Sequence, residues 1–258
     1  MKKSPLRFVL TLLLGLLATT LLANAATDAR VYELRTYTAA PGKLEALQSR
    51  FRDHTVKLFE KHGMVNVGYW VPADAKDGAG EKLVYLLAHK SRDAAKESWA
   101  NFSADADWKE VVKKSQADGK LVTKVESVYM APTDYSQPMS PGGRAGTPRV
   151  FELRTYTATE GKLAALDSRF RDHTLKLFEK HGIKNLGYFH PLDADKGAAN
   201  TLIYFIAHAS REAAEASWKK FRDDADWVKA RIASEKDGKL TSKVVSVFLK
   251  PTDYSALK

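Results

Sequence analysis

Three polar side chains, two of them donors that can hold an anion, occupy alternate positions of one short segment. They are Glu33, Arg35 and Tyr37. Side chains alternate between the two faces of a strand, so these three share one face. Arginine offers a rigid fork of donors to an anion or a carbonyl group, and tyrosine adds one more donor. The pattern predicts a ligand anchor, and the alternative is an internal salt-bridge lattice that fixes the register of the sheet. The same three residue types return at Glu152, Arg154 and Tyr156.

A histidine ends a later apolar segment in each half of the chain. His89 and its counterpart His208 lie on the same face as Tyr85 and Tyr204, respectively. A strand end at the mouth of a barrel is accessible to a substrate, so this histidine is our candidate proton donor or haem ligand. The alternative is a structural histidine, because no carboxylate partner is visible in the sequence. Two aromatic residues of the second predicted strand, Trp70 and Phe189, could line a pocket.

The other chemically capable residues favour structural roles. His54 and His173 fall in the apolar stripe of a predicted helix, where a histidine bonded to the backbone is the usual finding. His62 precedes the glycine that ends this helix, where its charge meets the helix dipole favourably. Four tryptophans at helical spacing are predicted to be core residues: Trp99, Trp108, Trp218 and Trp227. The sequence has no phosphate-binding loop, nucleophile elbow or metal-ligand cluster, so we predict no metal site.

These residues belong to two copies of one unit. The segment that begins at Arg30 returns at Arg149, and the offset is constant through the PTDYS motifs at Pro132 and Pro251. Roughly three in five aligned positions are identical, which indicates an internal duplication. We expect residues 1–25 to be a signal peptide, 30–136 the first domain, 137–148 a Pro- and Gly-rich linker and 149–255 the second domain.

Each unit has the element order β-α-β-β-α-β. A strand is predicted at Val31 to Thr38, and an amphipathic helix runs from Lys43 to His62. Two strands, a helix with Ser91 as N-cap, a second helical piece over residues 105–117 and a last strand follow. This order is the ferredoxin-like arrangement.

The fold class is therefore α+β, with two tandem ferredoxin-like units. Helices cover one face of each antiparallel sheet, and the other face needs a partner. A second copy on a short tether is present at high effective concentration. We expect the two sheets to pack into one pseudo-two-fold α/β barrel within the chain, with Glu33 and Arg35 facing its interior.

The motifs resemble those of the NIPSNAP family. The resemblance rests on YELRTYT, PGK, EKHGMVNVGYW and AHKSRDAAKESW, in the same order in both units. It implies the dimeric α/β barrel, in agreement with the fold deduced above. It implies binding or signalling rather than a settled reaction, whereas structural cousins include cofactor-independent monooxygenases and haem-handling barrels. Members often carry one domain and dimerise, whereas this chain carries two.

The first 25 residues have the features of a secretory signal. A basic start is followed by an apolar run from Phe8 to Leu22 and by the small-x-small site Ala23-Asn24-Ala25. An uncleaved membrane anchor is the alternative. We predict cleavage, a secreted or periplasmic location and no stable membrane insertion of the mature chain. The sequence contains no cysteine, which excludes disulfides, thiolate catalysis and lipoprotein attachment.

The charge pattern does not favour nucleic acid as a partner. The chain carries a formal net charge of +10, but its acids and bases are interleaved rather than segregated. The first hypothesis is a non-enzymatic protein that binds a small, partly apolar ligand or a protein partner and could form homo-oligomers. The second is a cofactor-independent monooxygenase that uses Arg35, Tyr85 and His89. The third is haem binding through His89 or His208; the first two need no cofactor.

Overall fold

The computed structural model describes residues 29–141 and 149–258. The predicted signal peptide and part of the predicted linker, residues 142–148, lie outside the described residues. The strands are β1 Val31–Ala39, β2 Val65–Pro72, β3 Lys82–His89, β4 Val122–Pro132, β5 Val150–Ala158, β6 Lys184–Pro191, β7 Thr201–His208 and β8 Thr241–Pro251. The helices are α1 Leu44–Arg50, α2 Val56–Lys61, α3 Arg92–Ala104, α4 Ala106–Ser115, α5 Leu163–Arg169, α6 Leu175–Lys180, α7 Arg211–Asp223 and α8 Ala225–Ser234.

The eight strands of the described chain form one closed antiparallel barrel, in the order β1-β3-β2-β8-β5-β7-β6-β4. Each unit contributes four strands, and the predicted barrel within one chain is confirmed. The two seams between units are short. Trp70 pairs with Pro251 at the β2–β8 seam, and Met130 pairs with Pro191 at the β4–β6 seam.

The barrel interior is an apolar core shared by both units. Trp70 packs against Phe151 and Phe205, with ring centroids 5.5 and 5.4 Å apart, and Tyr32 packs against Phe189 at 4.8 Å. A barrel of eight strands is just wide enough for side chains to fill. Large aromatic rings from facing strands therefore occupy the interior.

Segments that follow β4 and β8 cross to the other unit. Asp134 pairs with Arg171 of the second unit, and Asp253 pairs with Arg52 of the first. Met139, which lies within the predicted linker, is buried in the barrel interior. Each unit therefore contributes to the packing of its neighbour beyond the strand seams.

The first helix of each unit is interrupted by one wide turn. The π-helical turns Phe51–Thr55 and Phe170–Thr174 separate α1 from α2 and α5 from α6. In the first unit, the hydroxyl of Thr55 donates to the carbonyl oxygen of Arg50 at 3.1 Å. A π-turn places one extra residue in the helix, which shifts the phase of the side chains beyond it. The sequence predicted an uninterrupted helix.

Side-chain caps fix where the later helices begin. The predicted N-cap Ser91 is confirmed, since its hydroxyl accepts a hydrogen bond from the Ala94 amide at 3.1 Å. Asp105 caps α4 by accepting from the amides of Asp107 and Trp108. Asp105 also lies 2.6 Å from His62 Nε2, at the end of α2. This aspartate thus joins the helices of the unit, and α4 is shorter than the predicted 105–117.

Candidate functional site

The polar face of the first strand lies under the helices, not inside the barrel. The expectation that Glu33, Arg35 and Tyr37 face the interior is wrong, and so is the same expectation for their counterparts Glu152, Arg154 and Tyr156. The interior side of β1 carries Tyr32 and Leu34. Protein covers both faces of β1. The barrel interior is filled by side chains and offers polar groups few partners, so the apolar side chains lie on that face.

Glu33 is the centre of a buried polar network in the first unit. Its carboxylate is fully buried and lies 2.6 Å from Arg35 Nη1. It accepts from the indole N–H of Trp99 at 2.7 Å and from the Ser127 hydroxyl at 2.7 Å, and its Oε2 lies 3.1 Å from His89 Nε2. These donors come from β1, β3, β4 and α3. Glu33 therefore ties three strands to the helix that covers them.

The second unit repeats the network around Glu152. The carboxylate forms an ion pair with Arg154 and accepts from the indole N–H of Trp218 at 2.8 Å. The Ser246 hydroxyl donates to it at 2.5 Å, and His208 Nε2 lies 3.0 Å away. The guanidinium of Arg154 lies over Trp218, 4.4 Å from the ring centre. The arginine is thus fixed by a carboxylate on one side and an aromatic ring on the other.

The two buried carboxylates remain ionised. Burial raises their pKa, but the hydrogen bond with the histidine, the charge of the arginine and the bonds from serine and tryptophan outweigh it. Their combined effect lowers the pKa of Glu33 and Glu152 from 4.5 to about 2. Burial acts to lower the pKa of Arg35 and Arg154, but nearby tyrosines and the glutamate raise it. The network is therefore a lattice of fixed charges at neutral pH.

A cleft of about 670 Å³ opens beside the second network, between the sheet and the helices α7 and α8. Its apolar wall is aromatic and consists of Trp218, Phe221, Trp227 and Phe248. Four arginines and two glutamates supply its charges: Arg154, Arg211, Arg222, Arg231, Glu152 and Glu215. Glu152 and Arg154 pair with each other, and Arg211 pairs with Asp74 at 3.1 Å. The remaining charges of the cleft lining are Arg222, Arg231 and Glu215, so two of these three are cationic. Such a cleft suits a planar anion, because guanidinium groups both pair with anions and stack on rings.

The first unit carries different residues at several of the corresponding positions. Ser103 and Val112 stand where the second unit has Arg222 and Arg231, and Lys96 stands where it has Glu215. Tyr129 replaces Phe248. The deep part of the site is thus duplicated, whereas the rim has diverged. The two arginines at the rim are specific to the second unit.

His89 and His208 do not lie at an accessible barrel mouth. Each is 1% exposed and directs Nε2 to the buried glutamate. The predicted shared face with Tyr85 and Tyr204 is confirmed, but that face lies under the helices, where both tyrosines are fully buried. Neither imidazole fits the role of a haem ligand or a proton donor to a substrate.

Trp70 and Phe189 are fully buried in the barrel interior. The expectation that they line a pocket is wrong, because each ring packs against aromatic rings of the other unit. Both are part of the core that joins the two halves.

His54 and His173 lie on the exposed side of their helix, not in its buried stripe. The π-turn is the cause, since it places Thr55 and Thr174 at the buried positions. This corrects the predicted core placement. His54 instead borders a groove between α1 and α4.

The described residues contain neither a metal-binding cluster nor a membrane-spanning helix. Within 29–141 and 149–258, no group of three or more His, Asp or Glu side chains is arranged to hold a metal ion. No helix of these two ranges is long and apolar enough to cross a membrane.

Several residues of the site were not identified from the sequence. Trp99 and Trp218 were interpreted as core, yet their indole N–H groups hold the buried glutamates. Ser127 is absent from the sequence-based prediction, although it pairs with Arg35 across β1 and β4. Cross-strand register was the signal that could have identified the serine. Arg222 and Arg231 carried no signal, because exposed arginines on helices are common.

The match to a family model covers most of the chain. The NIPSNAP model matches residues 32–137 and again residues 151–256. The chain belongs to the NIPSNAP family. Its two NIPSNAP domains are the two halves of the barrel. A NipSnap homolog of Dictyostelium discoideum is 26% identical over 192 residues, which cover 73% of this chain and 74% of that protein.

Solved structures with this fold include oxygenase-like proteins. A Lactobacillus acidophilus protein provisionally described as a monooxygenase superposes with a TM-score of 0.56 at 13% identity, over 87% of this chain and 94% of its own. An anthrone oxidase-like protein gives a TM-score of 0.56 at 13% identity, over 90% and 95%. At this level of identity, the similarity of this NIPSNAP protein to them concerns the fold.

Proposed function

We propose that this NIPSNAP protein binds a small, planar, partly apolar anion in the cleft of its second unit. The observation that carries the proposal is the convergence of Arg154, Arg222 and Arg231 on a cleft walled by aromatic rings. The ring faces would hold the apolar body of the ligand, and the guanidinium groups its charge. A pocket with an aromatic wall and few polar groups is typical of small-molecule sites.

Binding is favoured over catalysis by the state of the polar groups. Glu152 is held ionised with a pKa of about 2, and its oxygen atoms already have four partners. A general base works best with a pKa near the working pH. Glu152 does not meet that requirement, and His208 is buried behind it.

Export of the mature chain, expected from residues 1–25, belongs to the same proposal. N-terminal sequencing of the exported protein tests it, with Ala26 expected as the first residue.

The experiment is a calorimetric titration with 4-nitrobenzoate, a planar aromatic carboxylate. The matched variants replace the two rim arginines by the residues of the first unit, R222S and R231V. We expect the double variant to bind about tenfold more weakly or worse, since each lost guanidinium contact with a carboxylate is worth about 1 kcal/mol or more. Nitrobenzene is the uncharged control and should bind the native protein and the double variant equally. Equal affinity of both proteins for 4-nitrobenzoate would reject the proposed role of the rim.

The second candidate is a cofactor-independent oxygenase that uses the same cleft. Its support is the fold shared with the anthrone oxidase-like protein, together with the guanidinium of Arg154 and the hydroxyl of Tyr156 on the cleft wall. These groups could hold the oxygen anion of an electron-rich phenol or anthrone. Oxygen consumption in the presence of an anthrone, lost in R154A, would support this candidate. No consumption would leave binding as the function.

A further inference from the structure

Arg50 and Arg169 occupy equivalent positions at the ends of α1 and α5. Their exposed fractions are 7% and 6%. Each guanidinium lies over an indole ring: Arg50 is 5.2 Å from the ring centre of Trp108, and Arg169 is 5.3 Å from that of Trp227. The two arginines therefore share their burial and their aromatic support.

They differ in their anionic partner. Arg169 Nη1 donates to the Glu235 carboxylate at 2.9 Å and to the Ser234 hydroxyl at 3.3 Å. Gln116 stands at the position of Glu235 in the first unit. Within the described part of the chain, Arg50 forms no ion pair with a carboxylate, and its buried Nε has no hydrogen-bond partner. One copy of the pair thus has a counter-ion, and the other lacks it.

A buried cation without a counter-ion is costly to a fold. Burial lowers the pKa of Arg50, although the nearby tyrosines Tyr37 and Tyr85 oppose this effect. The cost favours any anion that can reach the guanidinium. An anion bound there would restore the interaction that Glu235 provides in the second unit.

The small exposed part of Arg50 faces a groove. This groove of about 640 Å³ lies between α1 and α4, with Ala46 and Val111 on the apolar side. The related groove of the second unit has a wall formed by Asp172, His173, Lys176, Leu177, Lys180, Asp226, Lys229, Ala230 and Ala233. Arg169 is absent from that wall, in keeping with its pairing to Glu235. The groove thus reaches the arginine in the unit where the arginine has no partner.

Acidic residues at the mouth of the groove do not neutralise Arg50. Asp107 pairs with Lys61 at 2.9 Å, and Glu110 pairs with Lys114. Asp53 lies at the exposed rim beside His54. Exposed charges such as these are strongly screened by water and salt. The buried guanidinium remains the strongest anion anchor in the groove.

We propose that Arg50 anchors a second binding site, which takes the carboxylate of a small molecule where the second unit places the carboxylate of Glu235. The ligand class is a small monocarboxylate with a short apolar body that lies against Ala46 and Val111. This site is separate from the cleft of the second unit and does not depend on the function proposed for it.

The test uses benzoate and follows the side-chain Nε–H signals of Arg50 and the indole signal of Trp108 by NMR. These local signals distinguish the site from the cleft at Arg154. We expect benzoate to shift them in the native protein, and benzyl alcohol to leave them unchanged. The variant Q116E adds one carboxylate at the position of Glu235, so it should weaken binding at Arg50 at least tenfold. The control Q116A, which adds no charge, should retain binding.

The reverse variant completes the design. E235Q removes the internal partner of Arg169 and should create a second benzoate site, seen as new shifts at Arg169 and Trp227. Three results would overturn the proposal: no benzoate shift at Arg50 in the native protein, undiminished binding in Q116E, or no new site in E235Q. The last result would contradict the equivalence of the two arginines.

Discussion

The guanidinium of Arg154 lies 4.4 Å from the ring centre of Trp218, and both side chains donate to the same carboxylate, Glu152. The first unit repeats this triangle with Arg35, Trp99 and Glu33, where the corresponding distance is 4.2 Å. Because the carboxylate and the indole ring both contact the guanidinium, its position and orientation are fixed. A fixed charge is a preorganised anchor, and ordering it costs a ligand little.

The first prediction concerns stability in acid. The folded pKa of Glu33 and Glu152, about 2, lies below the unfolded value of 4.5. Ionised carboxylates therefore stabilise the fold fully above pH 4.5, and this contribution is lost as the pH falls from 4.5 towards 2. Each shift corresponds to a free energy on the order of 3 kcal/mol. Urea unfolding between pH 7 and 2 should show a steep acid limb in the native protein and a flatter one in E33Q/E152Q. Parallel limbs would be evidence against the charged network.

The second prediction concerns a histidine that only the second unit has. His190 Nδ1 lies 2.8 Å from the carbonyl oxygen of Thr201, and Nε2 lies 3.2 Å from Asp167. Burial acts to lower the pKa of His190, but its bonds to Asp167 and Thr201 raise it above 6.5 overall. Protonated His190 therefore stabilises the fold fully below pH 6.5, and the contribution is lost as the pH rises through the folded pKa.

The measurement is the difference in unfolding free energy between the native protein and H190V, followed from pH 5.5 to 9. Valine is the residue of the first unit at this position, Val71, which makes H190V a matched substitution. The difference should shrink as the pH rises. A difference that grows with pH would show that the ion pair with Asp167 does not raise the pKa.

The third prediction tests the π-turn of the first unit. Thr55 is buried and its hydroxyl donates to the Arg50 carbonyl oxygen, whereas His54 is exposed. T55V should lower the free energy of unfolding by about 1 kcal/mol, the typical value of one buried hydrogen bond. H54A should change it by less than about 0.5 kcal/mol. Thermal or urea unfolding of both variants measures the two changes. A larger loss of stability in H54A than in T55V would support an uninterrupted helix instead.

The fourth prediction concerns the halves of the barrel. Residues 149–258 alone would expose the interior rings Phe151, Phe189 and Phe205, which the other half covers. We expect this half to form a dimer through that face, because a symmetric partner can bury the same surface. Sedimentation of the isolated half measures its state. A soluble, folded monomer would be inconsistent with a core shared between the units.

Much of the fold could be predicted, because the duplication and the period of the strands are both visible in the sequence itself. The duplication and the period-two strands indicated the element order, and the uncovered sheet faces predicted the closed barrel. The π-turn was missed, since one extra residue in a helix leaves no distinct spacing in FRDHT. His54 was therefore placed on the wrong side of the helix.

The location of the site could not be predicted for a different reason. The alternation of side chains places Glu33 and Tyr32 on opposite faces of β1. It does not decide which of the two faces meets the helices when both faces are buried. Partners from distant elements decide it, since Trp99 and Ser127 bind Glu33 from α3 and β4. The residues were identified correctly as one polar face, and only their direction was wrong.

The most direct test of the proposed function is a crystal structure of the protein with 4-nitrobenzoate. We predict density for the ligand in the cleft between the sheet and α7, with its carboxylate on Arg154, Arg222 or Arg231 and its ring near Trp218 or Trp227. Density inside the barrel among Trp70 and its aromatic neighbours, or an empty cleft at saturating ligand, would contradict the account.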